Sequence, residues 1–306
     1  MSQKIIPNIW FDQNADEAGK FYAGILPDTT ATVGARYPDE VAEWQADFAG
    51  KTLTVDVDVG GYQLTLINAG SEFRPNPSVS FMLNFDPTRF GDDRDAARAS
   101  LDAVWAGLSE GGEVRMELGE YPFSPRYGWV EDRYGVNWQL ILTSPEGEPR
   151  PFLIPQLMFT ESVDGKAREA AQFYCSLFPD AGVGYIAVHP PQSAQEVPSA
   201  HASPGTIMFG EFRLADQWFS MMDGGPAHDF TFDCGVSFEV RVADQEELDH
   251  YWDALTAVPE AEVCGWLADK YGLSWQIVPE NMGELMERPG AYAKMMEMSK
   301  LIIDDF

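Results

Sequence analysis

Trp129-Val-Glu-Asp-Arg-Tyr-Gly-Val-Asn-Trp-Gln-Leu140 returns later in the chain as Trp266-Leu-Ala-Asp-Lys-Tyr-Gly-Leu-Ser-Trp-Gln-Ile277. The shared frame, Trp-x-x-Asp-x-Tyr-Gly-x-x-Trp-Gln, is too long to recur by accident, and it is not alone. Ile6-Pro7-Asn8-Ile9-Trp10-Phe11 matches Ile154-Pro155-Gln156-Leu157-Met158-Phe159. Phe21-Tyr22 with Leu26-Pro27-Asp28 matches Phe173-Tyr174 with Phe178-Pro179-Asp180. Leu64–Gly70 matches Phe219–Gly225, Ser78–Phe81 matches Gly235–Phe238, and Leu101, Trp105 and Leu108 match Leu248, Trp252 and Leu255. All fall in one order, so the chain is a tandem duplication. Its halves are expected at 1–146 and 152–306, joined by Ser144-Pro-Glu-Gly-Glu-Pro-Arg-Pro151, whose Pro, Gly and charge read as a linker.

Each half divides again. A short strand (5–11; 153–159) precedes a helix with Ala18, Phe21, Tyr22 and Ile25 at helical spacing. Strands follow near 31–36, 51–59 and 62–68, the last two parted by Gly60-Gly61. A second unit opens at Val79–Phe85, continues into a helix near 93–110, and ends in strands near 113–118 and 136–142. The pattern predicts an α+β chain with two βαβββ-like modules in each half. The second half adds an insert, Pro190–Pro204, that reads as a flexible loop, and a Met-rich helical segment over 280–300.

Composition bounds the partners. The 306 residues, 45% hydrophobic and 13% aromatic, suffice for a sizeable core of about two domains. There are 20 Lys and Arg against 49 Asp and Glu, a net charge of −29. Such a surface repels phosphates and anionic headgroups, so neither nucleic acid nor membrane is an expected partner. No window approaches the roughly 20 apolar residues of a membrane helix, and the first dozen residues lack a signal-peptide pattern. Cys175, Cys234 and Cys264 lack CxxC spacing and read as cytosolic thiols, with Cys264 the better candidate for reactivity. The cytoplasm is the expected location.

The opening Ile-Pro-x-x-x-Phe, the Ala-x-x-Phe-Tyr helix, the Phe/Leu-Pro-Asp turn and the Trp-Gln block resemble the PhnB-like branch of the vicinal-oxygen-chelate superfamily. That superfamily holds glyoxalase I, bleomycin-resistance proteins and extradiol dioxygenases. The resemblance covers nearly the whole chain, once per half. It implies paired glyoxalase/bleomycin-resistance-type domains, each of two βαβββ modules with cupped mixed sheets, and ligands held in the cups. Relatives with a single half pair as homodimers, so this chain looks like that dimer fused into an intrachain pseudo-dimer, expected to be a monomer.

Strand alternation names the residues of the cups. Asn137 and Gln139 oppose Val136, Trp138 and Leu140; Ser274 and Gln276 oppose Leu273, Trp275 and Ile277. Asn8 and Gln156 lie on the polar side of the opening strands, Thr65 and Ser220 on that of the fourth strand, and Ser80 on that of the fifth. The counterpart of Ser80 carries Ser237, Glu239 and Arg241. Trp138 and Trp275 read as helix-packing core. Polar alternation alone equally describes a plain solvated sheet face.

On the resemblance, the superfamily's metal ligands fall at Asn8 and Gln156, at Ser80 and Ser237, and at Gln139 and Gln276. None is His or a carboxylate, so no metal or other cofactor is expected. Glu239 is the one acid on the expected surface, with Met82 at its matched position in the first half. Methyl transfer from a nucleotide cofactor would need a Gly-rich loop between strand and helix, to which Gly182-Val-Gly184 is the nearest approach. Asp223 and His228 offer an acid/base pair, although such residues in a Gly-Gly-Pro loop more often serve the turn.

Two functions stay open. One is metal-free binding of a small organic molecule in a cup. The other is a vicinal-oxygen-chelate type of enzyme (lyase, isomerase or dioxygenase) with an atypical site in the second half only, where Glu239 is catalytic and Gln156 and Gln276 could complete a metal site. An interaction module with empty cups is a third reading.

Overall fold

A computed structural model describes residues 3–39, 41, 43–144, 149–190 and 203–306, the side chain of residue 44 excepted. Parts of two expected segments, 145–148 of the linker and 191–202 of the insert, lie outside the described residues.

The first half contains β1 (Ile5–Asp12), α1 (Ala15–Ile25), β2 (Thr29–Arg36), β3 (Thr52–Val59) and β4 (Tyr62–Ala69). It goes on with β5 (Val79–Phe85), α2 (Arg94–Ser109), β6 (Glu113–Tyr121), β7 (Ser124–Glu131) and β8 (Asn137–Leu142). The second half repeats this as β9 (Leu153–Thr160), α3 (Ala167–Leu177), β10 (Gly182–Val188), β11 (Ile207–Leu214) and β12 (Gln217–Gly225). Its second module is β13 (Val236–Val242), α4 (Gln245–Leu255), β14 (Trp266–Ala268) and β15 (Ser274–Pro279), one strand shorter than its counterpart. The Met-rich end forms two short helices, α5 (Met282–Met286) and α6 (Ala291–Glu297).

These strands make two mixed sheets. One has seven strands in the order β14-β15-β13-β1-β4-β3-β2; the other has eight, β10-β11-β12-β9-β5-β8-β7-β6. Each sheet therefore joins the first module of one half to the second module of the other. The seams are antiparallel pairs, β1 with β13 (Asn8 opposite Ser237) and β5 with β9 (Ser80 opposite Gln156). Gly60 and Gly61, both at positive φ, turn β3 into β4, the two-residue hairpin that only glycine-like residues allow.

The repeated block explains itself in the core. Asp132 is buried, and its two oxygens receive four donors: the backbone N–H of Tyr134 and Val136 on Oδ1, and Tyr22 Oη (2.8 Å) and Trp138 Nε1 (2.8 Å) on Oδ2. Asp269 repeats this with Tyr271 N, Leu273 N, Tyr174 Oη (2.7 Å) and Trp275 Nε1 (2.9 Å). The motif glycines, Gly135 and Gly272, take φ of 88° and 84° to close that turn. The block thus ties the last strand of a half to its first helix, and Trp138 and Trp275 are wholly buried.

The second part of the linker is docked. Arg150 forms a two-pronged pair with Glu211 (2.9 and 3.0 Å) and lies 3.9 Å over the Trp218 ring, while Asn84 holds the carbonyl of Pro151. At the other end the chain wraps the edge of β14, where Cys264 N and Gly265 N donate to Met298 O and Ser299 O. The last residues then run along α4, held by both ends of the Gln245 amide and by Lys300 on Asp249 and Asp253. Among the described residues no helix is long and apolar enough to cross a membrane.

Candidate functional site

The module exchange sorts the polar strand residues into two clusters. In the seven-stranded sheet Asn8 stands between Ser237 and Thr65, Ser237 faces Ser274, and Glu239 faces Gln276, with Arg241 next along β13. In the eight-stranded sheet Gln156 stands between Ser80 and Ser220, Ser80 faces Asn137, and Met82 faces Gln139. A site made by the second half alone does not form. Gln156 belongs to the eight-stranded sheet while Glu239 and Gln276 belong to the seven-stranded one, because β9 pairs with β5 and β13 with β1.

The two clusters differ in how far their side chains satisfy one another. In the eight-stranded sheet Tyr127 Oη donates to Gln139 Oε1 (2.6 Å) and Gln139 Nε2 donates to Ser80 Oγ (2.9 Å). That chain is buried, and burial pushes the Tyr127 hydroxyl well above its usual range. In the seven-stranded sheet Gln276 Nε2 likewise donates to Ser237 Oγ (3.0 Å). The position matching Tyr127, two before Trp266, is however Cys264, at φ 53° with Sγ 3.7 Å from Met296 Sδ. Among the described residues no phenol donates to the Gln276 carbonyl. Beside it Arg241 Nε donates to Glu239 Oε1 (2.7 Å), and Asn8 Nδ2 makes a long contact to Glu239 Oε2 (3.4 Å). The indoles of Trp10 and Trp266, on strands separated by two others, meet edge to face at 6.3 Å over this face.

Sequence reasoning passed over the acids on the third strands. Asp56 faces Thr65 and Glu211 faces Ser220, at matched positions. Burial pushes the Asp56 carboxyl up, against the pull of Arg241 and hydrogen bonds from Thr65 and Gln63. Its signal was available in the strict alternation Thr54-Val-Asp-Val-Asp-Val59. Arg150, within the linker, reaches Glu211 from outside any strand.

Other expectations change. Asp223 does not pair with His228. It accepts from Ala167 N and Ile207 N, fixing the start of α3, while His228 Nε2 lies 2.9 Å from Gly224 O. Burial raises the Cys264 thiol, as it does those of Cys175 and Cys234, so none is poised as a thiolate. Gly182 and Gly184 lie inside edge strand β10 rather than in a loop before a helix. The positions that the resemblance assigns to metal ligands hold amides and hydroxyls: Gln139 and Gln276 donate to Ser80 and Ser237, Asn8 to Ile6 O, and Gln156 to Met222 Sδ. No three His, Cys, Asp or Glu side chains gather among the described residues. This donor set does not fit a catalytic metal.

The model of one protein family, described as 3-demethylubiquinone-9 3-methyltransferase, matches residues 3–141 and again 151–278. The chain belongs to this PhnB-like family. Among solved structures, a PhnB protein from Bacillus cereus is 26% identical over 46% of this chain and 100% of its own, with a TM-score of 0.38. A Pseudomonas aeruginosa protein is 26% identical over 47% of this chain and 99% of its own, at 0.37. Glyoxalase I from Zea mays is 13% identical over 92% of this chain and 93% of its own, at 0.53, a likeness of fold across both halves. No curated protein matches. The family match ends at 278, so α5, α6 and the wrap around β14 lie beyond it in this PhnB-like chain.

Proposed function

We propose that this PhnB-like protein binds a small organic molecule, without a metal, on the concave face of the seven-stranded sheet. One observation carries the choice of face. The Tyr127–Gln139–Ser80 chain closes the eight-stranded face, whereas Cys264 in place of the tyrosine leaves the Gln276 carbonyl beside Glu239, Arg241 and two indoles. A few convergent polar groups against an aromatic wall suit a planar ligand that donates to Glu239 and Gln276 and accepts from Arg241. Both sheets are completed within one chain and all three cysteines are free, which supports a cytoplasmic monomer.

The test is a thermal-shift screen of planar hydrogen-bonding compounds, repeated in Glu239→Ala, Gln276→Ala and, for the other face, Gln139→Ala. Ligands are expected to lose at least about tenfold in affinity, about 1.4 kcal/mol, in the first two variants and to keep it in the third. A hit sensitive only to Gln139→Ala, or one that needs an added divalent metal, would overturn the reading.

A further inference from the structure

The first half contains a cavity of about 470 Å³ between the end of β1, the β4–β5 loop and the β7–β8 turn, bordered by Trp10, Phe73, Arg74, Asp12, Asn14 and Tyr134. The duplication supplies its own control. Asn76 and Asp233 make the same short turn, each accepting from the backbone N–H two residues on (Ser78, 2.9 Å; Gly235, 2.7 Å). This aligns Pro75 with Phe232, Arg74 with Thr231 and Phe73 with Phe230. In the second half the Phe232 ring is buried edge-on against Phe159 at 5.0 Å, and Thr160 Oγ1 donates to Phe230 O. In the first half a proline replaces that ring, and Asp12 replaces the threonine.

The substitutions add charge as well as space. Arg74 and Asp12 make no ion pair and no side-chain hydrogen bond among the described residues, in a chain where acids outnumber bases 49 to 20. Asn14 Oδ1 is buried with no hydrogen-bond partner, although it stands at the start of α1, where such an oxygen ordinarily caps the helix. Trp10 and Phe73 meet edge to face at 5.2 Å and, with Tyr134, form an aromatic wall. One unpaired cation, one unpaired carboxylate, one orphaned acceptor and an aromatic wall thus border a single cavity.

We propose that this cavity is a second binding site, for a free amino acid with an apolar or aromatic side chain. Arg74 takes the carboxylate, Asp12 and Asn14 Oδ1 take the ammonium, and the side chain lies against Trp10, Phe73 and Tyr134. Asp16 and Glu17 in the first turn of α1 offset the positive end of that helix near the ammonium. The site adjoins the concave face through Trp10, which borders both, but its charged and polar groups, Arg74, Asp12 and Asn14, are other than Glu239, Arg241 and Gln276.

Calorimetric titration of the full chain with a panel of standard amino acids tests this, with L-phenylalanine compared to phenethylamine and phenylacetate. Binding of the zwitterion at least about tenfold tighter than either singly charged analogue is expected, with similar losses in Arg74→Ala and Asp12→Asn. Pro75→Phe, which restores the ring of the second half, should abolish binding; Thr231→Arg should leave it unchanged. No heat from any amino acid up to about 10 mM, equal binding of the analogues, or binding indifferent to Arg74→Ala and Asp12→Asn would each overturn the proposal. Glu239→Ala should not alter L-phenylalanine binding, so failure here and failure of the concave-face reading are told apart.

Discussion

Asp132 and Asp269 show what the repeated block does in space. Each carboxylate is spent on four internal donors, a tyrosine hydroxyl, an indole and two backbone amides. In both, burial raises the carboxyl above its usual range, against the pull of the tyrosine, the indole and two backbone amides. Asp132→Asn turns an acceptor into a donor facing the Trp138 N–H and should cost about 1–3 kcal/mol in denaturant unfolding at neutral pH. The pH dependence has a definite sign. A carboxyl raised in the fold adds stability below its unfolded value of about 3.9, and that stability fades as pH rises through the folded value. The gap between wild type and Asp132→Asn should therefore widen toward acid pH; a gap that narrows would show that the donors, not burial, dominate.

At the level of elements, the two halves end differently. The first closes its sheet with β6 and β7, while the second has only the three residues of β14 and covers that edge with the C-terminal wrap. Gln245 on α4 pins it, donating to Leu301 O (3.2 Å) and accepting from Ile303 N (2.9 Å). Gln245→Ala removes both hydrogen bonds to the wrap, worth about 0.5–1.5 kcal/mol each, and a third to Asp249. Hydrogen exchange should quicken at Cys264, Gly265 and Ile303 while the amides of β1 and β9 keep their protection; uniform quickening would mean that the wrap supports the whole fold. Strand β7 was not anticipated, because Pro125 and Gly128 interrupt its alternation, and its pairing with β6 carries several register shifts.

For the molecule as a whole, the exchange of modules makes the halves interdependent. A fragment of residues 1–146 carries β1 and β5 without β13 and β9, leaving two apolar strands with an open antiparallel edge. Sedimentation of that fragment should show a dimer, β1 of one copy pairing with β5 of the other. A folded monomer would mean that the two modules of one half can close on each other. The net charge of −29 adds self-repulsion that the intact chain must overcome.

Repetition along the chain was enough to establish the duplication, the module pattern, the family resemblance and the polar face of each strand, because those depend on local periodicity and on spacing. Ser237 beside Asn8 and Gln139 beside Ser80 could be listed as cup residues for the same reason. Partnership across the seam could not be read that way. Whether Gln156 meets Glu239 or Ser80 depends on which strands pair at long range, and β1 and β9 carry nearly the same alternation, so either pairing satisfies the local pattern. The folded chain alone also decides which polar groups are already satisfied. Tyr127 and Cys264 look like ordinary strand-edge residues in sequence, yet one closes a face and the other leaves it open.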